Sequence, residues 1–320
     1  MSTQNQTIYV TGIAGFIGFH LACRLHSMGY SVVGCDTFND AYPPKIKHDR
    51  AKILRHKRIE IYQASISNRL EQDKIFQKHK PDIVINLAAQ AGVRASLAKP
   101  EVFVESNLVG FVELCELMRK YPPKKFIYAS SSSVYGDNTK FPLAESDKAD
   151  HPVSLYGATK KANEVIAYSY HSMFKVPTIG LRFFTCYGPY GRPDMAIYIF
   201  VKNILEGKPI TVFNEGKMER DFTYVDDIVS GIVASISYET NFEIFNLGKG
   251  QTDDLNTLID IIETRLKKKA IIDYQPRPAV DMPMNIADIE KSSEKLGFTP
   301  KTPLKEGVNK FIDWYLEYSK

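Results

Sequence analysis

The sequence is poor in cysteine, and its cysteines are widely separated. Only four occur among 320 residues, at Cys23, Cys35, Cys115 and Cys186, and no two of them form a CxxC pair. This spacing argues against both a zinc site and a disulfide scaffold. We therefore expect no metal centre and a reduced, cytoplasmic environment.

Long hydrophobic runs are also absent. No stretch of about 18 apolar residues occurs, which excludes an ordinary membrane-spanning helix. Residues 1–6 are polar and lack the basic region followed by an apolar region that marks a secretion signal. We expect a soluble protein without a membrane partner.

Net charge is small, because 41 Lys plus Arg nearly balance 37 Asp plus Glu and leave a formal charge of +4. So small an excess argues against a nucleic-acid partner. One run, 45–58, nevertheless contains seven basic residues and one acidic residue. A run of this kind can contact an anionic surface, but we interpret it as the solvated face of a helix.

Short apolar or β-branched runs predict the strands of a sheet, and 44% of the residues are hydrophobic, enough for a large core. The runs lie at 7–10, 31–35, 59–62, 82–87, 124–129, 178–183 and 242–247. Helix-length segments separate the first six, as parallel neighbouring strands require. Beyond residue 185 this rhythm ends. Helical patterns at 196–205, 255–266 and 304–318 predict a smaller domain over the sheet.

A glycine-rich turn follows the first predicted strand. Gly12, Gly15 and Gly18 would let the backbone approach a pyrophosphate, and the N–H groups that open the next helix favour negative charge. The spacing is GxxGxxG rather than GxGxxG, so a plain strand-to-helix turn is the alternative. Asp36 ends the second strand, where a carboxylate can bind ribose hydroxyls and repel a 2′-phosphate. We predict an α/β, Rossmann-like doubly wound parallel sheet that binds NAD rather than NADP.

A second motif joins Tyr156 and Lys160 to the serine-rich turn at 129–136. The two residues are four apart and share one helix face. An adjacent ammonium lowers the pKa of a phenol from about 10 toward neutrality, which makes the tyrosine a usable general base. The pair alone is common on solvated helices. Together with the glycine turn, it predicts a catalytic site at the carboxyl ends of the strands.

With these motifs the chain resembles the extended short-chain dehydrogenase/reductase family, and within it the nucleotide-sugar epimerases. The resemblance covers nearly the whole chain: the glycine turn, 86–94, Asn107, the serine turn, the Tyr/Lys pair, 181–185, 187–189, 220–227 and 314–315. The runs 88–96 and 182–196, the latter reading RFFTCYGPYGRPDMA, look like UDP-glucuronate 4-epimerases. Combined with the strand rhythm, this implies an NAD-binding domain at 1–185 and 226–250 and a smaller C-terminal substrate-binding domain at 186–225 and 251–320.

The resemblance implies NAD-dependent conversion of UDP-glucuronate to UDP-galacturonate, through a 4-keto intermediate and reversible hydride transfer. Tyr156 would take the proton of the sugar 4-hydroxyl, Lys160 would hold the nicotinamide ribose, and Ser131 would orient the reacting hydroxyl, with Ser132 as its rival. Asn107 would either support the site or serve as a core partner. The expected cofactor contacts are Gly12, Gly15, Phe16, Ile17, Gly18, Asp36, Ser65, Ile66, Leu87, Ala88, Ala89, Tyr156 and Lys160. Relatives usually carry aspartate at the position of Ser65.

Substrate recognition is likewise implied by the resemblance. Arginines grip the diphosphate through charge-assisted bonds, and the segment around Arg277 is one residue longer than the RPGD of relatives. A hexuronate carboxylate would meet serine, threonine and arginine donors, although a surface-loop role is the alternative for Arg192. Galactose epimerases usually carry asparagine where Thr185 stands. The expected substrate contacts are Arg94, Ser131, Ser132, Ser133, Tyr156, Thr185, Arg192, Arg220 and Arg277.

Several alternatives stay open. The sugar of the UDP-sugar substrate can be glucose or N-acetylglucosamine rather than glucuronate. Dehydratases and decarboxylases carry an acidic residue where Ser132 and Ser133 stand, so we expect neither activity. A regulatory NAD sensor is the alternative to an enzyme, although such proteins usually lose the tyrosine or the lysine. The resemblance also implies a homodimer through helices at 103–118 and 155–174, and a role in polysaccharide biosynthesis.

Overall fold

The computed structural model describes residues 6–278, 281–282 and 284–320. Ala279 and Val280, which belong to the lengthened segment after Arg277, lie outside the described residues, as do 1–5 of the polar N-terminal stretch. The strands are β1 Thr7–Thr11, β2 Ser31–Asp36, β3 Glu60–Gln63, β4 Ile83–Asn86, β5 Lys125–Ser131, β6 Thr178–Phe183, β7 Thr185–Tyr187, β8 Pro209–Phe213, β9 Glu219–Arg220, β10 Phe222–Tyr224, β11 Phe242–Leu247, β12 Asp253–Asp254, β13 Ile271–Gln275 and β14 Met284–Asn285.

Seven of these strands form one parallel sheet in the order β11-β6-β5-β4-β1-β2-β3. Strands β4, β5 and β6 are buried at every residue, as expected for a parallel sheet covered on both faces. All seven predicted strands are present, within two residues of the expected ends. The prediction of a Rossmann-like doubly wound sheet is confirmed.

Helices cover both faces of this sheet. They are α1 Phe16–Ser27, α2 Lys45–His56, α3 Arg69–His79, α4 Ala95–Ala98, α5 Pro100–Val104, α6 Gly110–Lys120, α7 Leu155–Phe174, α8 Ala196–Glu206, α9 Val225–Ser237, α10 Leu255–Leu266, α11 Glu290–Leu296 and α12 Leu304–Tyr318, with a π turn at Glu105–Val109 between α5 and α6. One face buries Leu21 of α1 and Ile232 of α9. The other buries Phe76 of α3, Phe111 of α6 and Ala167 of α7.

The smaller part of the chain consists of three short sheets and the helices α8, α10 and α12. The short sheets are β10-β7, β12-β9-β14 and β13-β8. Leu258 of α10 and Val308 of α12 belong to the same buried cluster as Ile127 of β5, so one core continues from the main sheet into this part. The segments that face the ends of the main strands are therefore held by hydrophobic packing.

The topology brings the predicted motifs to one edge. After β3 the chain crosses back over the sheet, so that β4 pairs with β1 on the side opposite β2. Ligands of open α/β sheets bind in the crevice created by such a reversal, at the carboxyl ends of the strands. Gly12 after β1, Asp36 at the end of β2 and Ser131 at the end of β5 all reach this edge.

The basic segment departs from its expected role. It forms α2, but Lys47 and Arg50 are buried, together with Ile46 and Leu54 of the same helix. The expectation of a solvated helix face is therefore wrong for two of the seven basic residues. Elsewhere all four cysteines are free thiols. Within the described residues, no helix combines the length and the apolar character that crossing a bilayer demands.

Candidate active site

The glycine turn is built so that only glycine fits. Gly12 has a φ of +66°, and a Cβ there would lie 2.9 Å from the backbone of Ala88. A Cβ on Gly18 would lie 2.2 Å from the Gly12 carbonyl oxygen. Among the residues that the structure describes, no side chain caps α1, which begins at Phe16 after Gly15, so its first N–H groups remain for a ligand. Such a turn fits a dinucleotide pyrophosphate.

Asp36 lies beside this turn. Its side chain is buried, and its Oδ2 accepts a hydrogen bond from the Ala14 N–H at 3.2 Å. Its Oδ1 accepts one from the Phe38 N–H at 2.9 Å. Each carboxylate oxygen offers a second lone pair. The carboxylate is therefore fixed in place with capacity left for ribose hydroxyls.

The remaining expected cofactor contacts follow neighbouring strands. Ser65 follows β3 and its hydroxyl bonds that of Ser67 at 2.8 Å, while Ile66 is buried. After β4, the Leu87 N–H donates to the Thr11 carbonyl at 3.2 Å. Ala89 lies partly exposed two residues further along, and Ile17 lies in the first turn of α1.

Sequence analysis missed Thr11, the last residue of β1. Its hydroxyl donates to Asn86 Oδ1 at 2.5 Å and accepts from the Ala88 N–H at 3.1 Å. The signal was a hydroxyl side chain directly before Gly12. Thr11 therefore fixes the spacing between the glycine turn and the segment after β4.

Tyr156 opens helix α7 against the serine turn. Ser154 caps this helix by accepting from the Gly157 N–H at 3.1 Å. A Cβ on Gly157 would lie 2.4 Å from the Ser133 carbonyl oxygen, so glycine allows the helix to approach the turn. The side chains of Tyr156 and Ser131 lie close enough for Ser131 to influence the pKa of the phenol. The structure therefore brings together the expected general base and its expected serine partner.

The pKa of Tyr156 differs from the sequence expectation. Burial of the phenol raises its pKa, while the neighbouring Ser131 side chain and the charge of Arg192 lower it, and the net direction is upward. Lys160 does not act on the phenol as expected, since its buried Nζ donates to the Ala129 carbonyl at 2.9 Å. Burial lowers the pKa of Lys160 to about 8.

The serines of the turn point to different partners. Ser131 Oγ donates to Ser133 Oγ at 3.2 Å and accepts from the Ser133 N–H at 3.2 Å. Ser132 Oγ instead accepts from Asn285 Nδ2 of β14 at 3.0 Å. Ser131 is thus the serine paired with Tyr156, and Ser132 contacts the smaller part of the chain.

Asn107 supports the site from within the π turn. Its Oδ1 accepts from the Gln90 N–H at 2.8 Å, and its Nδ2 donates to Thr159 Oγ1 at 3.0 Å. Thr159 in turn donates to the Tyr156 carbonyl at 2.8 Å. Asn107 therefore connects the segment after β4 to the first turn of α7.

Three of the expected substrate arginines cluster around Asp281. Arg94 Nη2 donates to its carboxylate at 2.5 Å, and Arg277 Nη1 donates to its carbonyl oxygen at 2.8 Å. Burial lowers the pKa of Arg220, Asp281 raises it, and the charges of Arg94 and Arg277 lower it further, with a net downward shift. Three guanidinium groups around one carboxylate leave an excess of positive charge, which suits a diphosphate.

Arg192 lies near enough to Tyr156 for their charges to interact. Arg192 Nη2 donates to the Ala91 carbonyl at 3.1 Å and pairs with the Asp194 carboxylate at 2.6 Å. Although burial lowers the pKa of Arg192, Asp194 raises it above its ordinary value. Thr185 opens β7, next to Phe183 at the end of β6, and its N–H donates to the Asp221 carbonyl at 3.1 Å. Arg192 is therefore a partly buried residue of the site rather than a solvated loop arginine.

Comparison with known proteins agrees with this geometry. Residues 8–248 match the model of the NAD dependent epimerase/dehydratase family. A probable UDP-glucuronate 4-epimerase of Rhizobium meliloti is 41% identical, with 96% of each chain covered. Among solved structures, a UDP-glucuronic acid 4-epimerase from Bacillus cereus in complex with UDP-glucuronic acid and NAD has a TM-score of 0.90 and 34% identity, over 98% of this chain and 100% of that one.

A structure of another substrate class is equally similar in shape. The UDP-glucose 4-epimerase of Thermotoga maritima, solved with UDP-glucose, has a TM-score of 0.91 and 31% identity, over 98% of this chain and 100% of that one. The family match is consistent with two features of the site: the glycine turn, and the proximity of Tyr156 to Ser131. The chain belongs to the NAD dependent epimerase/dehydratase family.

Proposed function

We propose that this protein is an NAD-dependent UDP-glucuronate 4-epimerase, which converts UDP-glucuronate to UDP-galacturonate. The observation that carries the proposal is the phenol of Tyr156, paired with Ser131 and acted on by the charge of Arg192. A guanidinium beside the general base suits a sugar that carries a carboxylate. The named activities of the Rhizobium and Bacillus proteins support the same substrate.

In the proposed mechanism, Tyr156 takes the proton of the sugar 4-hydroxyl and returns it after the 4-keto sugar has turned over. When bound, NAD would supply the hydride acceptor and, once reduced, the hydride donor. Ser131 orients the reacting hydroxyl through its hydrogen-bonding oxygen. Because burial raises the pKa of Tyr156, the phenolate depends on neighbouring positive charge, of which Arg192 supplies part. Lys160, whose Nζ is held by the Ala129 carbonyl, is assigned to the nicotinamide ribose.

The UDP portion is assigned to the arginine cluster of Arg94, Arg220 and Arg277, which shares Asp281. A diphosphate would bind these arginines through charge-assisted hydrogen bonds, which guanidinium groups can make in pairs. The sugar carboxylate is assigned to Ser132, Ser133, Thr185 and Arg192. We assign 1–185 and 226–250 to cofactor binding and 186–225 and 251–320 to substrate binding.

The test is incubation of the purified protein with UDP-glucuronate and separation of the products by chromatography. UDP-galacturonate is the expected product. UDP-glucose and UDP-N-acetylglucosamine serve as competing substrates, because the Thermotoga structure has the same fold with a neutral sugar. Faster conversion of either neutral sugar would replace the proposed substrate, and failure to convert any of the three would contradict an epimerase.

A regulatory NAD sensor predicts binding without turnover. Tyr156→Phe removes the proton acceptor but keeps the ring, so we expect loss of turnover with NAD still recovered from heated protein. Tyr168→Phe is the matched control, since Tyr168 lies on the same helix and is exposed. Equal activity of the two variants would contradict the general-base role.

We also propose a homodimer. Six exposed apolar residues lie on the helices expected to pair, namely Val104, Val109, Val165, Tyr168, Met173 and Phe174. Two copies of these helices would bury the residues in a four-helix bundle. We expect light scattering to report a dimer for the wild type and a monomer for Val165→Glu, and a monomeric wild type would overturn the assignment. We place the protein in the cytoplasm and its product in polysaccharide biosynthesis.

A further inference from the structure

Helix α2 contains an arginine that the proposed reaction does not use. Arg50 is fully buried, although it belongs to the most basic segment of the chain. Its three hydrogen-bond acceptors are neutral oxygens, and its Nε has no hydrogen-bond partner among the described residues. Burying a guanidinium without a carboxylate partner costs stability. The contacts of Arg50 therefore point to a role other than stabilising the fold.

Two of these oxygens are backbone carbonyls that belong to different loops. Arg50 Nη1 donates to the Ala14 carbonyl of the glycine turn at 2.9 Å. Its Nη2 donates to the Tyr190 carbonyl at 2.6 Å, in the loop between β7 and α8. The planar guanidinium therefore joins the cofactor turn to a loop of the smaller part of the chain.

The second loop carries Arg192. Tyr190 has a φ of +56°, a left-handed conformation that is uncommon for a bulky residue. Its carbonyl is held by Arg50, and the preceding Pro189 carbonyl lies 2.8 Å from His20 Nε2. Two residues beyond Tyr190, the side chain of Arg192 reaches the Ala91 carbonyl. The direction in which Arg192 leaves the loop therefore depends on contacts at 189 and 190.

Tyr42 provides a second connection between the two arginines. Its hydroxyl accepts from Arg50 Nη1 at 3.0 Å. The Arg192 guanidinium carbon lies 5.6 Å from the centre of the Tyr42 ring, and that of Arg50 lies 5.8 Å from it. Both distances suit a cation–π contact. Tyr42 thus lies against both guanidinium groups and fixes the separation between them.

We propose that Arg50 is a positioning residue: it holds the 188–195 loop on the glycine turn and so directs the Arg192 guanidinium toward the substrate carboxylate. This inference rests on the proposed function, because it assumes that Arg192 binds that carboxylate. Lysine cannot replace Arg50 fully, because one ammonium does not offer a rigid fork to the Ala14 and Tyr190 carbonyls together.

The test compares Arg50→Met with Arg55→Met, a matched control because Arg55 lies on the same helix and is exposed. Hydrogen bonds to charged groups contribute enough free energy that their loss changes an equilibrium about tenfold or more. We expect Arg50→Met to raise KM for UDP-glucuronate about tenfold with a smaller change in kcat. Arg55→Met keeps wild-type values.

A double-mutant cycle separates positioning from a general loss of stability. If Arg50 acts through Arg192, Arg50→Met adds little to KM in a protein that already carries Arg192→Met. Independent effects would multiply, and multiplication overturns the proposal. Should Arg50→Met fail to fold, Arg50→Lys keeps the buried charge and one bond, and we expect it to raise KM by a smaller factor. A wild-type KM in Arg50→Lys would also overturn it.

Failure of the proposed function has a different signature. Absence of UDP-glucuronate turnover by the wild type contradicts the proposed substrate, not the connection made by Arg50. In that case NAD recovered from heated protein is the readout, because Arg50 also holds the glycine turn. Less NAD in Arg50→Met than in Arg55→Met supports the positioning role, and equal amounts overturn it.

Discussion

At the scale of single residues, the site depends on hydroxyl groups whose hydrogen bonds are already directed. Ser131 pairs with Tyr156, whereas Ser133 donates its N–H to Ser131 and keeps a partly exposed side chain. A 4-keto uronate is a β-keto acid and loses CO₂ when the breaking bond aligns with the carbonyl π system. The proposed enzyme therefore has to hold the carboxylate out of that alignment.

We predict that Ser133→Ala increases the fraction of UDP-pentose formed from UDP-glucuronate severalfold, because one donor to the carboxylate is lost. Chromatography of the products measures this fraction. Ser146→Ala is the control, since Ser146 is an exposed serine outside the expected substrate contacts. An unchanged product ratio in Ser133→Ala would count against the carboxylate contact.

The arginine cluster is the second residue-scale feature. Arg220 is partly buried and lies in the electrostatic field of Arg94 and Arg277, which suits an anion better than a neutral group. We predict that Arg220→Met raises KM for UDP-glucuronate at least tenfold and leaves NAD retention unchanged. Arg265→Met is the control, because Arg265 is exposed on α10 and pairs with Asp313. Loss of bound NAD from Arg220→Met would contradict the assignment of Arg220 to substrate binding alone.

At the scale of elements, α7 sets the geometry of the reaction. Its first two turns hold Tyr156 and Lys160, and its start is positioned by the Ser154 cap and by the approach of Gly157 to the serine turn. A displaced first turn would move the phenol away from Ser131, so the cap bears on catalysis as well as on stability.

We predict that Ser154→Ala destabilises the fold by about 1 kcal/mol, because the Gly157 N–H loses its acceptor. The melting temperature falls by a few degrees, and kcat falls with it. Asn68→Ala is the matched control: Asn68 caps α3 through the Glu71 N–H at 3.3 Å, away from the reacting groups. We expect it to lower the melting temperature without changing kcat, and equal kcat in both variants would contradict the role of the cap.

At the scale of the whole molecule, the two parts of the chain are joined by polar contacts across their boundary. His20 of α1 is one, since its Nε2 lies 2.8 Å from the Pro189 carbonyl. Burial lowers the pKa of His20, although the Pro189 carbonyl and Asp226 raise it. The folded protein therefore favours the neutral imidazole more than the unfolded chain does.

The lowered pKa of His20 makes the folded protein less stable at acidic pH. As pH falls below about 6.5, the unfolded chain takes up a proton at this histidine before the folded protein does, so folding stability is lost down to the lower folded pKa. We predict that His20→Gln reduces the loss of melting temperature between pH 8 and pH 5. His26→Gln, on the exposed side of the same helix, leaves the loss unchanged. An unaltered pH profile in His20→Gln would contradict this.

Much of this architecture was readable in the sequence because it depends on local patterns. Buried parallel strands are continuous apolar runs, so β6 and β11 were predicted at their observed ends. The glycine turn and the Tyr/Lys spacing are set by local backbone geometry. The burial of Arg50 was also partly readable, since Ile46, Arg50 and Leu54 lie four residues apart on one helix face.

The sequence by itself determined the order of strands and helices, the glycine turn and the set of candidate residues, since each follows from short-range sterics and hydrophobic periodicity. Only the tertiary structure decided which serine meets Tyr156, where Lys160 donates its hydrogen bond and what Arg50 joins. These outcomes depend on contacts between segments far apart in the chain, as when Arg50 meets Tyr190. Burial decided the pKa directions too, because desolvation at Tyr156 outweighs the neighbouring charges, and desolvation exists only in the folded protein.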